Sequence, residues 1–262
     1  MAFNTIEYKV DSGVAVVVLN RSERMNSFNT EMHSELRQAL DQVSSNSAIR
    51  CLLLTANGKG FCAGQDLNDR KFDPDASPDL GLSLIENYNP LIRTITNLQI
   101  PVICAMNGVA AGAGVGISLA CDIVIAARSA SFVLSFCKVG LGMDSASSWS
   151  LPRLIGLPRA KGLALLGEKL AAEKAEQWGL IWKCVDDDQL IHEAMEMAQH
   201  FATQPTMGLG IIKQELLEST AHSFEQQLDM EAELQAIAGR TEDYREGVLS
   251  FLEKRKPVFK GK

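Results

Sequence analysis

Four short apolar runs, each too continuous for an amphipathic surface element, set the strongest limit on how this chain folds. Val14-Ala15-Val16-Val17-Val18-Leu19, Cys51-Leu52-Leu53-Leu54-Thr55, Val102-Ile103-Cys104-Ala105-Met106 and Ile123-Val124-Ile125-Ala126-Ala127 lack the apolar–polar alternation of a half-wet strand. They read as strands buried on both faces. Between them lie helical stretches. Thr30 to Val43 carries Met32, Leu36, Leu40 and Val43 on one face, with Asn29 or Thr30 as N-cap, and a second helix is expected from Leu80 to Leu98. A polar loop with prolines fills Asn68 to Pro78. Strands alternating with helices give an α/β fold. A doubly wound sheet and a spiral of ββα turns both fit, and periodicity does not choose.

Beyond Leu151-Pro152-Arg153 the pattern turns helical, with helices over Pro158 to Leu166, Ala171 to Trp178 and Asp188 to Thr203 and a short strand at Ile181–Val185. Pro205 opens a last helical region running to Glu253. The expected division is a core over 1–204 and a helical subdomain over 205–262, suited to packing on a neighbouring subunit. No internal repeat or low-complexity segment is apparent.

Several function classes are disfavoured. A net charge of −7 argues against a general nucleic-acid binder. No apolar run approaches the roughly 18 residues of a membrane span. Met1–Val10 lacks the basic-then-apolar order of a secretory signal, and Lys260-Gly261-Lys262 is not the peroxisomal tripeptide. Cys51, Cys62, Cys104, Cys121, Cys137 and Cys184 form no Cys-x-x-Cys pair, which suits reduced thiols in the cytoplasm. The four histidines share no zinc-like spacing, so no metal is expected.

Two glycine-containing turns carry the chemistry. Asn107-Gly108-Val109-Ala110-Ala111-Gly112-Ala113-Gly114-Val115-Gly116 follows a strand and leads into a helix. Gly112, Gly114 and Gly116 give Gly-x-Gly-x-Gly, which is neither the dinucleotide fingerprint nor a P-loop. Small residues at a helix start leave N–H groups uncovered for an anionic oxygen. Gly60-Phe61-Cys62-Ala63-Gly64-Gln65-Asp66-Leu67 also follows a strand. Each alone reads as a plain turn. Together, two such turns can aim two N–H groups at one thioester oxyanion.

Phe61 to Leu67, Asn107 to Gly114 and Ala120-Cys121-Asp122-Ile123 resemble the two signatures of the crotonase (enoyl-CoA hydratase/isomerase) superfamily, and the likeness extends over essentially the whole chain. It implies a crotonase-like spiral of ββα units with a C-terminal helical subdomain, assembled as a homotrimer or hexamer. It also implies an acyl-CoA substrate, with coenzyme A as part of the substrate and no other cofactor. The implied oxyanion donors are the backbone N–H groups of Ala63 and Ala113. Hydratases of the superfamily use two glutamates, and the matching positions here are Gly116 and Phe136, neither of which can do acid–base work.

The remaining acid is Asp144, in Gly140-Leu141-Gly142-Met143-Asp144-Ser145-Ala146-Ser147-Ser148-Trp149. Asp before Ser-Ala-Ser also reads as a helix N-cap, and that reading stays open. Asp144 matches the aspartate of the superfamily's isomerases. Phe61 to Arg70, Cys121 to Ser131, Gly162 to Gly167, Thr203 to Lys213 and Ala238 to Val248 are similar to its isomerases of bacterial phenylacetate breakdown. The activity so implied converts ring-1,2-epoxyphenylacetyl-CoA to oxepin-CoA. Where that group has Gly-Gly shortly after the aspartate, this chain has Ala146-Ser147-Ser148.

For coenzyme A, Arg24 and Lys254, with Lys254's neighbours Arg255 and Lys256, are candidate phosphate cations, and Phe251 and Phe259 are apolar neighbours. A solvated basic tail is the plainer reading of those lysines. The resemblance assigns Gln65, Asp66 and Leu67 to adenine, with Gly112 at the oxyanion turn. Phe136, Met143 and Trp149 are candidate walls of the acyl pocket, with core packing as the plainer reading. Two other functions remain: a linear-chain Δ3-Δ2-enoyl-CoA isomerase using the same Asp144, and a non-catalytic acyl-CoA-binding scaffold of the same fold.

Overall fold

The computed structural model describes residues 3–69 and 79–262. Most of the loop expected over 68–78, together with Arg70, lies outside the described residues. The strands are β1 (Ile6–Asp11), β2 (Val14–Leu19), β3 (Cys51–Ala56), β4 (Gly60–Cys62), β5 (Val102–Met106), β6 (Val109–Ala111), β7 (Ile123–Ala127), β8 (Ser131–Val133), β9 (Lys169–Ala171) and β10 (Lys183–Val185).

They form two sheets. The larger has the order β1-β2-β3-β5-β7-β10 and the smaller β4-β6-β8-β9. The four apolar runs are the parallel centre of the larger sheet, with Val14 opposite Cys51, Leu52 opposite Val102, and Ile103 opposite Ile123. β1 closes one edge antiparallel to β2.

The two sheets settle the choice between winding schemes. After three of the four central strands the chain makes a tight turn and lays three residues into the smaller sheet: β3 then β4, β5 then β6, β7 then β8. β4, β6 and β8 are mutually parallel. This is the ββα spiral, and its repeat is one of geometry that the sequence does not display. Close backbone stacking holds successive turns together. A β-carbon on Gly108 would lie 2.2 Å from the Lys59 carbonyl oxygen, and Asn107 Nδ2 donates to the Gly58 carbonyl at 2.9 Å. Only glycine fits at 108.

The helices are α1 (Thr30–Ser45), α2 (Leu80–Ser83), α3 (Asn89–Asn97), α4 (Ala113–Leu119), α5 (Ser147–Ile155), α6 (Leu157–Leu166), α7 (Ala172–Trp178), α8 (Leu190–Ala202), α9 (Thr206–Glu218), α10 (Phe224–Ala238) and α11 (Glu242–Leu252). Asn29 is the cap of α1, its side chain accepting from the Met32 N–H, and Met32, Leu36, Leu40 and Val43 are all buried as their spacing predicts. The helix expected over 80–98 contains a π-helical turn, Leu84–Tyr88, between α2 and α3. Pro152, placed at the threshold of the helical half, lies inside α5.

The C-terminal helices contact the core closely. Lys213 of α9 donates to Asp122 at 2.9 Å, and Arg50 at the start of β3 donates to Thr206 Oγ1 at 2.9 Å. Among the described residues no helix is long and apolar enough to cross a membrane.

Candidate active site

The smaller sheet carries both glycine turns on adjacent strands, β4 and β6. Their backbones meet. A β-carbon on Gly64 would sit 2.9 Å from the Ala111 carbonyl oxygen and 3.3 Å from the Ala113 nitrogen. One on Gly114 would sit 2.3 Å from the Cys62 carbonyl oxygen. Gly64 also has φ +86°, a conformation that side chains resist. These glycines are there because backbone lies against backbone.

Ala113 is the first residue of α4, after Gly112 at φ +52°. Its N–H has no acceptor within the helix and belongs to the group that helix starts leave for a ligand. Ala63 differs. Its N–H donates to the Met25 carbonyl at 2.9 Å, so it is already committed to the 21–28 segment. The expectation that Ala63 supplies the first donor is corrected on that ground. Asp66 is likewise engaged, its N–H on the Phe28 carbonyl at 2.9 Å. Between them, Gln65 forms a parallel bridge with Phe28. In such a bridge the neighbours of Gln65 bond to Phe28, and the N–H of Gln65 itself points to the opposite edge.

The first turn is braced by side chains. Arg21 meets Asp66 Oδ2 at 2.9 Å, the two side chains being 15% and 7% exposed. Burial pushes the Asp66 carboxyl up, but Arg21 and the Asn68 N–H outweigh it, and the group titrates below its ordinary range. Tyr88 donates to Gln65 Oε1 at 3.0 Å, while Gln65 Nε2 donates to the Phe28 carbonyl at 3.1 Å. Asp66 is therefore a bracing residue whose backbone N–H and side chain are used within the protein. Leu67 is 72% exposed beside it, and Arg24 is exposed on the short helical turn Ser22–Arg24 next to Met25. Cys62 lies between the turns, and burial pushes its thiol up to about 12, so it is neutral and no nucleophile.

Around the start of α4 the structure also gathers Phe136 and the Asp144 segment. The Phe136 ring lies 3.8 Å from where a β-carbon on Gly112 would be. One helical turn on, a β-carbon on Gly116 would lie 2.2 Å from the carbonyl oxygen of Ser145 and 2.5 Å from its Cβ. The position of one hydratase glutamate is thus filled by the backbone that follows Asp144.

Asp144 does not cap α5. The N-cap position is Ala146, at φ +60°, with no side-chain cap bond, and the Ser147 N–H takes the Asp144 carbonyl at 2.9 Å. Ser145 is also left-handed, at φ +50°. Such a conformation costs roughly 1–2 kcal/mol per non-glycine residue. Asp144 Oδ1 is shielded from solvent, and so are the hydroxyls of Ser145 and Ser147. Met143 is partly buried and packs on the core.

Three candidates lie elsewhere. Trp149 is 41% exposed, with the Arg153 guanidinium 4.1 Å from its ring centroid. It lines a cavity of about 670 Å³ together with Leu119, Ile212 and Lys213, which none of Gln65, Ala113 and Phe136 reaches. Phe251 is 82% exposed at the end of α11, with Lys254 just beyond it. The tail after them returns to the start of β3, where Arg50 Nη1 donates to the Phe259 carbonyl at 3.1 Å. That is the end of the strand away from the turns. Among the described residues no group of three or more His, Cys, Asp or Glu side chains could hold a metal ion.

Comparison with known proteins places the chain in a family. The chain is 56% identical over 254 residues to the 1,2-epoxyphenylacetyl-CoA isomerase of Escherichia coli, covering 97% of each chain. It is 35% identical over 263 residues to the trans-2-decenoyl-[acyl-carrier-protein] isomerase of Streptococcus mutans, covering all of both. The crystal structure of an enoyl-CoA hydratase from Bacillus anthracis superposes with a TM-score of 0.93 at 31% identity, covering 99% of this chain and 100% of the other. The enoyl-CoA hydratase/isomerase family model matches residues 9–262, and the chain belongs to that family.

Proposed function

We propose that this chain is an acyl-CoA isomerase that converts ring-1,2-epoxyphenylacetyl-CoA to oxepin-CoA and also shifts a Δ3 double bond to Δ2. The observation that carries the reading is at Gly116. No side chain fits there, so the two-glutamate route to hydration is closed, while the backbone of Ser145, the residue after Asp144, lies against the same helix turn.

In this reading the thioester oxygen sits between the N–H of Ala113 and that of Gln65, which takes the place first expected for Ala63. Loss of one such donor typically costs about 2.7–4 kcal/mol in barrier. In the double-bond shift Asp144 takes a proton from the carbon next to the thioester. The negative charge spreads onto the oxygen held by the two N–H groups. Asp144 then returns the proton two carbons further along. In the ring epoxide, the carbon–carbon bond shared by the two rings opens as the neighbouring double bonds shift, with no net proton moved. The relative from Escherichia coli supports the epoxide as substrate, and the one from Streptococcus mutans supports the double-bond shift.

In this reading Arg24, on the helical turn Ser22–Arg24, and Leu67, on the braced first turn, meet the coenzyme A moiety. Phe251 and Lys254 serve it only when a neighbouring copy supplies them. We take the protein to be a cytoplasmic homotrimer or hexamer assembled through 205–262, where Leu216, Phe224, Leu228 and Leu252 stand exposed. Light scattering that reports a monomer would remove Phe251 and Lys254 from the site.

The test of the chemistry is Asp144→Asn, assayed with both substrates and followed in heavy water for exchange at the carbon next to the thioester. A loss of about 10²–10⁴ in turnover of the 3-enoyl-CoA, with thioester binding kept, is expected. A folded variant with full turnover refutes the role. Loss of exchange with epoxide turnover intact would confine Asp144 to the double-bond shift.

A further inference from the structure

The contact between Gly116 and Ser145 has a meaning beyond the missing glutamate. A glycine facing open space could be replaced by alanine at little cost, as at Gly162, where a β-carbon would meet nothing within 4 Å. At Gly116 the added carbon would meet Ser145 O at 2.2 Å, Ser145 Cβ at 2.5 Å and Ser145 C at 2.9 Å. Two of these three atoms are backbone, so no side-chain rotation relieves the conflict. The loop itself must move.

That loop has little freedom to move without carrying Asp144 with it. Ser145 and Ala146 are consecutive non-glycine residues in the left-handed region, and Ser145 is buried. On its far side the loop is tied into α5, with the Ser147 N–H on the Asp144 carbonyl and the Trp149 and Ser150 N–H groups on the Ala146 carbonyl, each at 2.9 Å. Between α4 and α5, the seat of Asp144 is defined by a strained backbone pressed against a bare helix face.

We propose that Gly116 is a positioning residue. By presenting no side chain it lets the Ser145 backbone seat on α4, and that seat fixes where the Asp144 carboxylate stands over the acyl group. It follows that, in this chain, a side chain at 116 and the present seat of Asp144 are mutually exclusive. Adding a glutamate at 116 would destroy isomerisation without creating a hydratase, because the loop it needs to displace carries the remaining acid. The inference rests on the reading of Asp144 as the acid and goes beyond it.

The experiment is a double-mutant cycle of Gly116→Ala and Asp144→Asn in the full-length enzyme. It measures kcat and KM for 1,2-epoxyphenylacetyl-CoA and for a 3-enoyl-CoA, with phenylacetyl-CoA as a non-reacting binding probe. Gly116→Ala should lower kcat by about a hundredfold, the scale of an ångström-sized misplacement of a catalytic group, with probe affinity kept. In the Gly116→Ala background, Asp144→Asn should then cost little more, since residues acting through one group are not additive. Unchanged kcat in Gly116→Ala, or two losses that simply multiply, overturns the proposal. If Gly116→Ala does not fold, Ser145→Gly carries the same cycle from the other side of the contact. It removes the buried Cβ and the strain, should loosen the seat, and should lower kcat with the same non-additivity. Additive losses there overturn the proposal equally. An Asp144→Asn enzyme with full turnover sinks the reading of the acid itself. An inactive Asp144→Asn beside an unaffected Gly116→Ala sinks only the positioning role.

Discussion

The pair of glycine turns and the Asp144 loop stand at the same helix but are built by opposite means. The turns are made of backbone. Gly64, Gly108 and Gly114 are each fixed by a main-chain atom within 3 Å of where a β-carbon would go, and the groups proposed to act there are N–H donors that need no particular side chain. The Asp144 loop offers a side chain instead, followed by two left-handed non-glycine residues, Ser145 and Ala146, with the hydroxyls of Ser145 and Ser147 shielded from solvent. The first construction tolerates no change without losing the site. In the proposed reading, the second can change its acid and its neighbours while the turns still hold the thioester. In a family whose members isomerise or hydrate, this division explains how one thioester clamp serves different reactions.

The contrast can be broken most sharply at Gly114. Gly114→Ala drives a β-carbon against the Cys62 carbonyl, a conflict worth about 1–3 kcal/mol or more, because neither backbone can yield cheaply. Thioester binding, turnover and melting temperature should all fall together, unlike Asp144→Asn, which should spare binding. A Gly114→Ala enzyme with normal affinity for phenylacetyl-CoA would show that the turns are not rigidly matched.

A comparable effect, with a pH signature, is expected at the brace. Arg21→Met leaves the Asp66 carboxylate buried without its cation, which should cost about 3 kcal/mol of stability at neutral pH. The folded enzyme holds the Asp66 carboxyl below its unfolded value. Its contribution is therefore present above about pH 4 and fades as the pH falls through the folded value. Urea midpoints of the two proteins should differ most at pH 7 and converge toward acid. A gap that stays constant with pH would assign the loss to packing rather than to charge.

The smallest effect is expected at Trp149, which lies close to Asp144 in sequence and faces Arg153 and a separate cavity. Trp149→Ala should change kcat for the epoxide by no more than about twofold, as an exposed position away from the chemistry does. A large loss would extend the acyl pocket past α5.

Much of this was readable in the residues because it depends on local pattern. The four central strands announce themselves by apolar runs longer than any turn, and α1 by its 3.6-residue stripe and Asn29 cap. The two turns were visible as Gly and Ala clusters after strands, and the lack of glutamates at 116 and 136 already argued against hydration. The smaller sheet was not readable, since three-residue strands such as Gly60–Cys62 and Val109–Ala111 are too short to carry a period. The donor of the first turn was not readable either, since which N–H of a turn faces outward depends on a partner segment about 35 residues away.

By itself, then, the sequence determined the kind of fold, the pair of glycine turns and the lack of a glutamate pair for hydration, all properties of residue type and short spacing. Tertiary structure alone decided which backbone donor is already spent on Met25, that Ala146 rather than Asp144 heads α5, and that Trp149 stacks on Arg153 while Phe251 stands exposed. It also revealed why residue 116 has no side chain. A glycine's reason is the atom it leaves room for, and that atom, the Ser145 carbonyl oxygen, is brought there by the fold from 29 residues further along the chain.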